Sequence, residues 1–105
     1  MPSLREKKRY IAFEVHTEGR LGLEQTKHGI EQTMKSFLGE LGMARAGVLF
    51  LNDWKNNRGI LKVNTKYVDD VKASMALVQE IAQHKAIVRS VAVSGALEKI
   101  RSAYF

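Results

Sequence analysis

The segment that follows the N-terminal basic residues alternates between apolar and polar side chains. Ile11, Phe13 and Val15 are apolar, whereas Glu14 and His16 are polar. A period of two places successive side chains on opposite faces of a strand. The pattern therefore predicts a strand that has one face on a hydrophobic core.

Two later stretches change to the three- and four-residue spacing of amphipathic helices. The first covers about residues 22–41, and Gly42 is the predicted C-terminal cap. The second covers residues 67–82, for which Asn64 or Thr65 is the predicted N-cap. Each helix is expected to bury one side.

The remaining apolar runs are short and predict strands. Residues 46–51 and 59–63 flank the turn formers of residues 52–57, which is typical of a hairpin. Residues 87–93 form a last strand, and a short third helix starts at residue 94. The order β-α-β-β-α-β plus a terminal helix predicts an α+β, ferredoxin-like or RRM-like sandwich. Two helices would cover one sheet face and leave the other open.

The size and charge of the chain limit its function. Its 105 residues suit a single domain, 1–105, with one core. Seventeen Lys and Arg residues against eleven Asp and Glu residues give a net charge of +6, which favours a phosphate-bearing partner. No apolar run approaches the ~20 residues that span a bilayer. The lack of cysteine excludes thiolate chemistry and fits a reducing compartment, so we expect a cytoplasmic protein without a membrane partner.

No catalytic or metal-binding constellation is evident. The histidines His16, His28 and His84 fall in different predicted elements, and none has a second ligand at helical i, i+4 spacing. There is also no glycine-rich loop of the phosphate-cradling type. We therefore expect the chain to be noncatalytic by itself and to bind no cofactor.

The charge cluster at the start of the first strand is the best candidate for RNA binding. Lys and Arg side chains on phosphates supply affinity and position rather than sequence reading. RRM domains instead stack bases on aromatic residues of the two central strands, but the predicted third strand has none. A structured RNA recognised by its shape is the better fit. The cluster consists of Arg5, Lys7, Lys8 and Arg9.

A second surface suggests a protein partner or self-association. Trp54 lies in a polar loop, where it either folds back on the hairpin or anchors a protein contact. The second strand is apolar on both faces because Leu49 and Leu51 alternate with other apolar residues. We therefore predict a protein interface at Leu49, Leu51 and Trp54. In the alternative, the terminal helix folds over the open sheet face with Leu97, Ile100 and Tyr104.

Four segments together resemble a known protein family. They are LREKKRYIAFE at residues 4–14, NDW at 52–54, GILKV at 59–63 and VAVSGALEKIR at 91–101. In order and spacing they resemble archaeal ribonuclease P protein component 2 and its eukaryotic counterpart. The resemblance covers nearly the whole chain.

This resemblance implies a noncatalytic subunit of a ribonucleoprotein. In that complex the RNA, with Mg²⁺, removes the 5′ leader of precursor tRNA, so the holoenzyme is the endoribonuclease ribonuclease P. The expected partners are ribonuclease P RNA, protein component 3 and a second copy of this chain within a heterotetramer. The residues expected to bind RNA after the N-terminal cluster are Ser94, Gly95, Lys99 and Arg101.

Two other functions remain open for the same fold. A small-molecule regulatory module of the ACT type would place a ligand at the first strand-to-helix turn, residues 17–22. An acylphosphatase would need an arginine in a phosphate-binding loop, and Arg20 is the only candidate near that turn.

Overall fold

The computed structural model describes residues 7–105 and confirms the α+β sandwich. Within these residues, no helix has both the length and the apolar character needed to cross a membrane. Its elements are β1 (Lys8–Thr17), α1 (Leu23–Ala46), β2 (Leu49–Lys55), β3 (Arg58–Asn64), α2 (Val68–Ala76), β4 (Glu80–Ile81), β5 (His84–Ser94) and α3 (Leu97–Tyr104).

The sheet is antiparallel, with strand order β2-β3-β1-β5-β4. Four of its strands have the ferredoxin-like arrangement, and the two-residue β4 extends the edge beside β5. The hairpin between β2 and β3 is tighter than predicted, because β2 runs on to Lys55. Asn56 and Asn57 alone form the turn, with φ of 52° and 58°. Asn tolerates this left-handed conformation, which two-residue hairpin turns require.

The main core lies between the sheet and the helices α1 and α2. On β1, the alternating residues Ile11, Phe13 and Val15 are buried on this inner face, as predicted. Phe13 contacts Phe50 edge-to-face, with ring centroids 5.9 Å apart. A methyl group on Gly59 would lie 2.6 Å from Phe13 Cζ, so only glycine leaves room for this ring.

A second, smaller cluster lies on the outer sheet face beneath α3. Ala12 and Ile60 contribute from the sheet and Ile100 from α3, and all three are buried. The expectation of an open outer face is therefore wrong over its central part. The alternative, in which the terminal helix covers the face with its apolar side, is confirmed.

Helix α1 is longer than predicted and is broken at another glycine. It continues through Gly42 to the buried Ala46, and Gly47 caps it in the left-handed conformation with φ of 60°. The interruption falls at Gly39, where φ is 75° and ψ is 172°. Residues 43–46 include Met, Ala and Arg, which are good helix formers, and they carry the helix past the predicted end.

Helix α2 is shorter than predicted. It ends at Ala76. Two apolar residues that were predicted to continue it lie elsewhere: Val78 in a loop and Ile81 in β4. Both side chains are buried against the same core, which explains why their spacing mimicked a helix. The N-cap prediction is also wrong, since Asn64 makes no capping bond and precedes a single 3₁₀ turn.

Candidate nucleic-acid interface

Strand register gathers five described cations at one end of the sheet, which we call the basic end. In the β1–β3 pairing, Lys8 lies opposite Asn64 and Tyr10 lies opposite Lys62. The backbone carbonyl of Lys7 accepts hydrogen bonds from the Thr65 amide and hydroxyl, each 2.9 Å long. Arg5 falls outside the described residues, and its role stays a prediction. The basic end comprises Lys7, Lys8, Arg9, Lys62 and Lys66.

Asn64 fixes the geometry of the basic end. It is buried, and its amide nitrogen donates to the Arg45 carbonyl at 2.6 Å. Its amide oxygen accepts a hydrogen bond from Lys8 Nζ. A methyl group on Gly47 would lie 3.1 Å from this amide, so the cap of α1 packs directly on it. Asn64 therefore joins the end of α1, the end of β3 and one cation.

The two predicted RNA-binding segments meet at Arg9 and Gly95. A methyl group at position 95 would lie 2.9 Å from Arg9 Nη1, so the guanidinium lies across the glycine backbone. Ser94 pairs with Tyr10 in the sheet, and its hydroxyl oxygen accepts a bond from the Ala96 amide at 3.0 Å. Arg9 and the residues just before α3 thus form one surface.

Arg101 has an intramolecular partner. Its guanidinium makes two 3.0 Å bonds to the carboxylate of Asp53, which connect α3 to β2. These hydrogen bonds raise the pKa of Arg101, against a smaller opposite effect of burial. Lys99 is exposed on α3. RNA binding by Lys99 and Arg101 stays a prediction.

The outer sheet face offers no platform for stacking bases. Tyr10 is half-buried and packs on the small cluster beneath α3. The third strand supplies Ile60 and Lys62 to this face rather than aromatic rings. Phosphate contacts are therefore the chemistry that this surface can provide.

The predicted protein-interface residues lie in different environments. Leu49 is 50% exposed on the edge strand β2, whereas Leu51 is half-buried in the cluster beneath α3. Trp54 packs against Phe13 and donates its indole N–H to the Leu21 carbonyl at 2.9 Å. Of the two outcomes predicted for Trp54, the structure shows the one in which the side chain folds back against its own chain. An interface at these positions stays a prediction.

The turn that the alternative functions would use is partly engaged by hydrogen bonds within the chain. In the turn of residues 17–22, the Leu21 amide and the Gly19 carbonyl are both bonded to the Asn57 side chain, at 3.2 Å each. Among residues 7–105, no three carboxylate or imidazole side chains are grouped so as to hold a metal ion. Arg20 is exposed beside this turn.

Sequence analysis missed Lys62 and Lys66. Neither is close in sequence to the N-terminal cluster, and only the β1–β3 register brings them beside it. Lys62 lies on the outer face of β3 with Ile60, and its neighbours there depend on strand pairing.

The chain matches a known family over most of its length. The model of the Rpp14/Pop5 family matches residues 9–105. Proteins named ribonuclease P protein component 2 are similar to it. The one from Thermococcus gammatolerans is 39% identical over 101 residues, covering 95% of this chain and 84% of the relative. The one from Pyrococcus furiosus is 37% identical with the same coverage.

A solved structure supports the fold. A chain in the cryo-EM structure of yeast ribonuclease MRP superimposes with a TM-score of 0.69 and covers 97% of this chain and 94% of its own. The two are 13% identical, so this likeness concerns the fold alone.

Proposed function

Because this chain belongs to the Rpp14/Pop5 family, we propose that it is a noncatalytic protein subunit of ribonuclease P. In this proposal the subunit binds and stabilises the RNA that removes the 5′ leader of precursor tRNA. The observation that carries it is the basic end, where cations from two distant segments of the chain, residues 7–9 and 62–66, share one surface.

The basic end suits a folded RNA backbone. Phosphate contacts by Lys and Arg position an RNA without reading its bases. Hydrogen bonds hold Lys8 to Asn64, and close packing holds Arg9 to Gly95, so the cations lie at defined places rather than on a mobile tail. Fixed spacing between charges selects an RNA by the arrangement of its phosphates.

We assign the chemistry to the RNA and its Mg²⁺. The protein would act by holding the RNA fold, and it would bind no metal of its own. Glu14 on the outer sheet face is engaged by His16 and Arg58. Its carboxylate is thus used within the chain.

The proposed protein partners are component 3 of ribonuclease P and a second copy of this chain. Leu49 supports a protein contact, because it is an exposed apolar side chain on the edge strand β2. Edge strands present unpaired backbone groups that a partner can use. Leu51 lies two residues further along the same strand.

The test is a variant that removes three cations of the basic end. Changing Lys7, Lys8 and Arg9 to Ala should weaken binding to a ribonuclease P RNA transcript from the source organism. It should also reduce the slope of log K against log salt by about three, roughly one per lost phosphate contact. Fluorescence anisotropy across a KCl series at constant Mg²⁺ measures both.

A matched control removes the same charge from the helical layer. Lys27, Lys35 and Lys72 lie on α1 and α2, away from the sheet face, and their change to Ala should leave the slope within about one unit of wild type. An equal loss in both triple variants would mean that net charge, not the basic end, binds the RNA. Unchanged binding in the first variant would refute the assignment.

A further inference from the structure

A second basic surface lies on the outer sheet face, at the end opposite the basic end. Cross-strand pairing aligns Lys55 with Arg58, Arg58 with Glu14, and Glu14 with Arg89. Paired residues share a face of the sheet. Glu14 and Arg58 are each two residues from Ala12 and Ile60 of the outer cluster, so the whole row faces outward. We call Lys55, Arg58, Glu14 and Arg89 the arginine row.

The arginine row carries more positive than negative charge. Its three cations face one carboxylate, and Lys55 lies directly opposite Arg58, a like-charge pair that disfavours the sheet. Glu14 contacts Arg58, with Oε2 3.5 Å from Nε. Within residues 7–105, Lys55 and Arg89 form no ion pair. The surplus charge is thus left for an external anion.

The row is open, and the Arg58 guanidinium is held in a defined orientation. Helix α3 covers the centre of the outer face and stops beside the row, where the Arg58 guanidinium lies 6.0 Å from the Tyr104 ring centroid. Glu14 uses part of the Arg58 fork and leaves further N–H donors for an anion. His16, two residues further along β1, also contacts Glu14, with Nε2 2.8 Å from Oε1.

The chemistry of this surface favours nucleic acid over protein. Protein interfaces have an apolar centre that is poor in charged residues. Here the exposed apolar side chain is Ile87, at 62% exposure, and it lies to one side of the row opposite His16. A row of cations spaced by about 4.8 Å per strand instead matches a polyanion.

On the basis of the proposed function, we propose that the arginine row is a second phosphate-contacting surface for the same RNA. It lies about 20 Å from the basic end, since Glu14 and Lys8 are six residues apart on β1. Helix α3 stands between the two surfaces. A folded RNA that contacts both must therefore pass over or beside α3.

The decisive variant removes the two cations of the row that make no ion pair. Lys55→Gln with Arg89→Gln breaks no salt bridge of the described chain, so the fold should be kept, which circular dichroism checks. Against the ribonuclease P RNA transcript, we expect a salt slope lower by about two and an affinity lower by roughly tenfold. The matched control is Lys27→Gln with Lys72→Gln.

Footprinting separates the two surfaces. Hydroxyl-radical protection of the transcript should lose one set of positions with the row variant and a different set with the Lys7, Lys8 and Arg9 variant. Loss of the same positions in both, or an unchanged slope and footprint with the row variant, overturns the second surface while the proposed function stands. Wild-type protein without salt-dependent binding refutes both. If the double variant unfolds, Arg89→Gln alone must lower the slope by about one.

Discussion

Gly59 offers a sharp test of the strand register on which both basic surfaces depend. The register pairs Phe13 with Gly59, and it also places Lys8 beside Asn64 and Glu14 beside Arg58. An added Cβ at position 59 would lie 2.6 Å from Phe13 Cζ and 3.1 Å from Trp54 Cε3. The first distance is too short for two carbon atoms and the second is tight, so Gly59→Ala forces the Phe13 ring to move.

The expected cost follows from how tightly Phe13 is held. The ring is fully buried, packs edge-to-face on Phe50 and lies 6.4 Å from the Trp54 ring. Overpacking a core costs about 1–3 kcal/mol, and this ring has little room to turn. The lower chain entropy of alanine in the unfolded state returns about 0.4–1 kcal/mol. We expect a net loss of about 2 kcal/mol, or roughly 8–16 °C in Tm.

Urea unfolding monitored by circular dichroism measures this loss. The slope m should not change, because the fold is kept. A second substitution, Phe13→Leu, removes Cζ, so Gly59→Ala should cost little in that background. The double-mutant cycle should give a coupling of about 1–2 kcal/mol.

Gly22→Ala is the control substitution. Gly22 has a φ of −84°, and a methyl group there would lie 3.9 Å from its nearest neighbour, so the change should cost less than about 1 kcal/mol. Wild-type stability of Gly59→Ala, or additive effects in the cycle, would refute the β1–β3 register. The placement of both basic surfaces would then fail as well.

Two further substitutions test buried and charged groups. Thr26 is fully buried, and within the described chain its hydroxyl has no hydrogen-bond partner. Thr26→Val should therefore raise the free energy of unfolding by about 1 kcal/mol. A loss of stability would reveal a partner for the hydroxyl. The pKa of Glu14 is lowered by its bond to His16 and by the charges of His16, Arg58 and Arg89, against burial. A lowered folded-state pKa stabilises the protein above the ordinary value near 4.5, and this contribution is lost as the pH falls through the folded-state pKa. The stability difference between wild type and Glu14→Gln should therefore shrink from pH 6 to pH 3 in urea unfolding, and a constant difference would contradict the role of Glu14.

Local patterns predicted the order of the main elements, but neither their ends nor the two-residue strand β4. The alternation in β1 and the turn formers of the hairpin are short-range signals. The structure confirms β1 and the hairpin strand β2. Ile81 and Val78 had helical spacing yet face the core from a strand and a loop. The spacing of apolar residues indicates which side chains are buried. It does not by itself distinguish a helix from a strand or a loop.

The composition of the basic surfaces depends on pairings between distant residues. Asn64 contacts Lys8 across 56 residues, and Arg101 contacts Asp53 across 48. A shift of one residue in register would exchange the two faces of a strand. No local pattern in the sequence predicts which residues then lie opposite each other on neighbouring strands. The sequence therefore identified the cations of the N-terminal cluster, whereas Lys62 and the arginine row required the register.

The position of α3 determines how this fold can meet an RNA. In an RRM domain, the outer face of the sheet stacks bases, but here Ile100 and its neighbours on α3 fill the centre of that face and Tyr10 lies beneath them. Charged side chains remain exposed on either side of the helix. Contacts of this kind are sensitive to salt and indifferent to sequence, so selectivity must come from the spacing of the two surfaces. An RNA whose backbone presents phosphates about 20 Å apart across a raised helix would satisfy both, and an unstructured strand would gain from only one at a time.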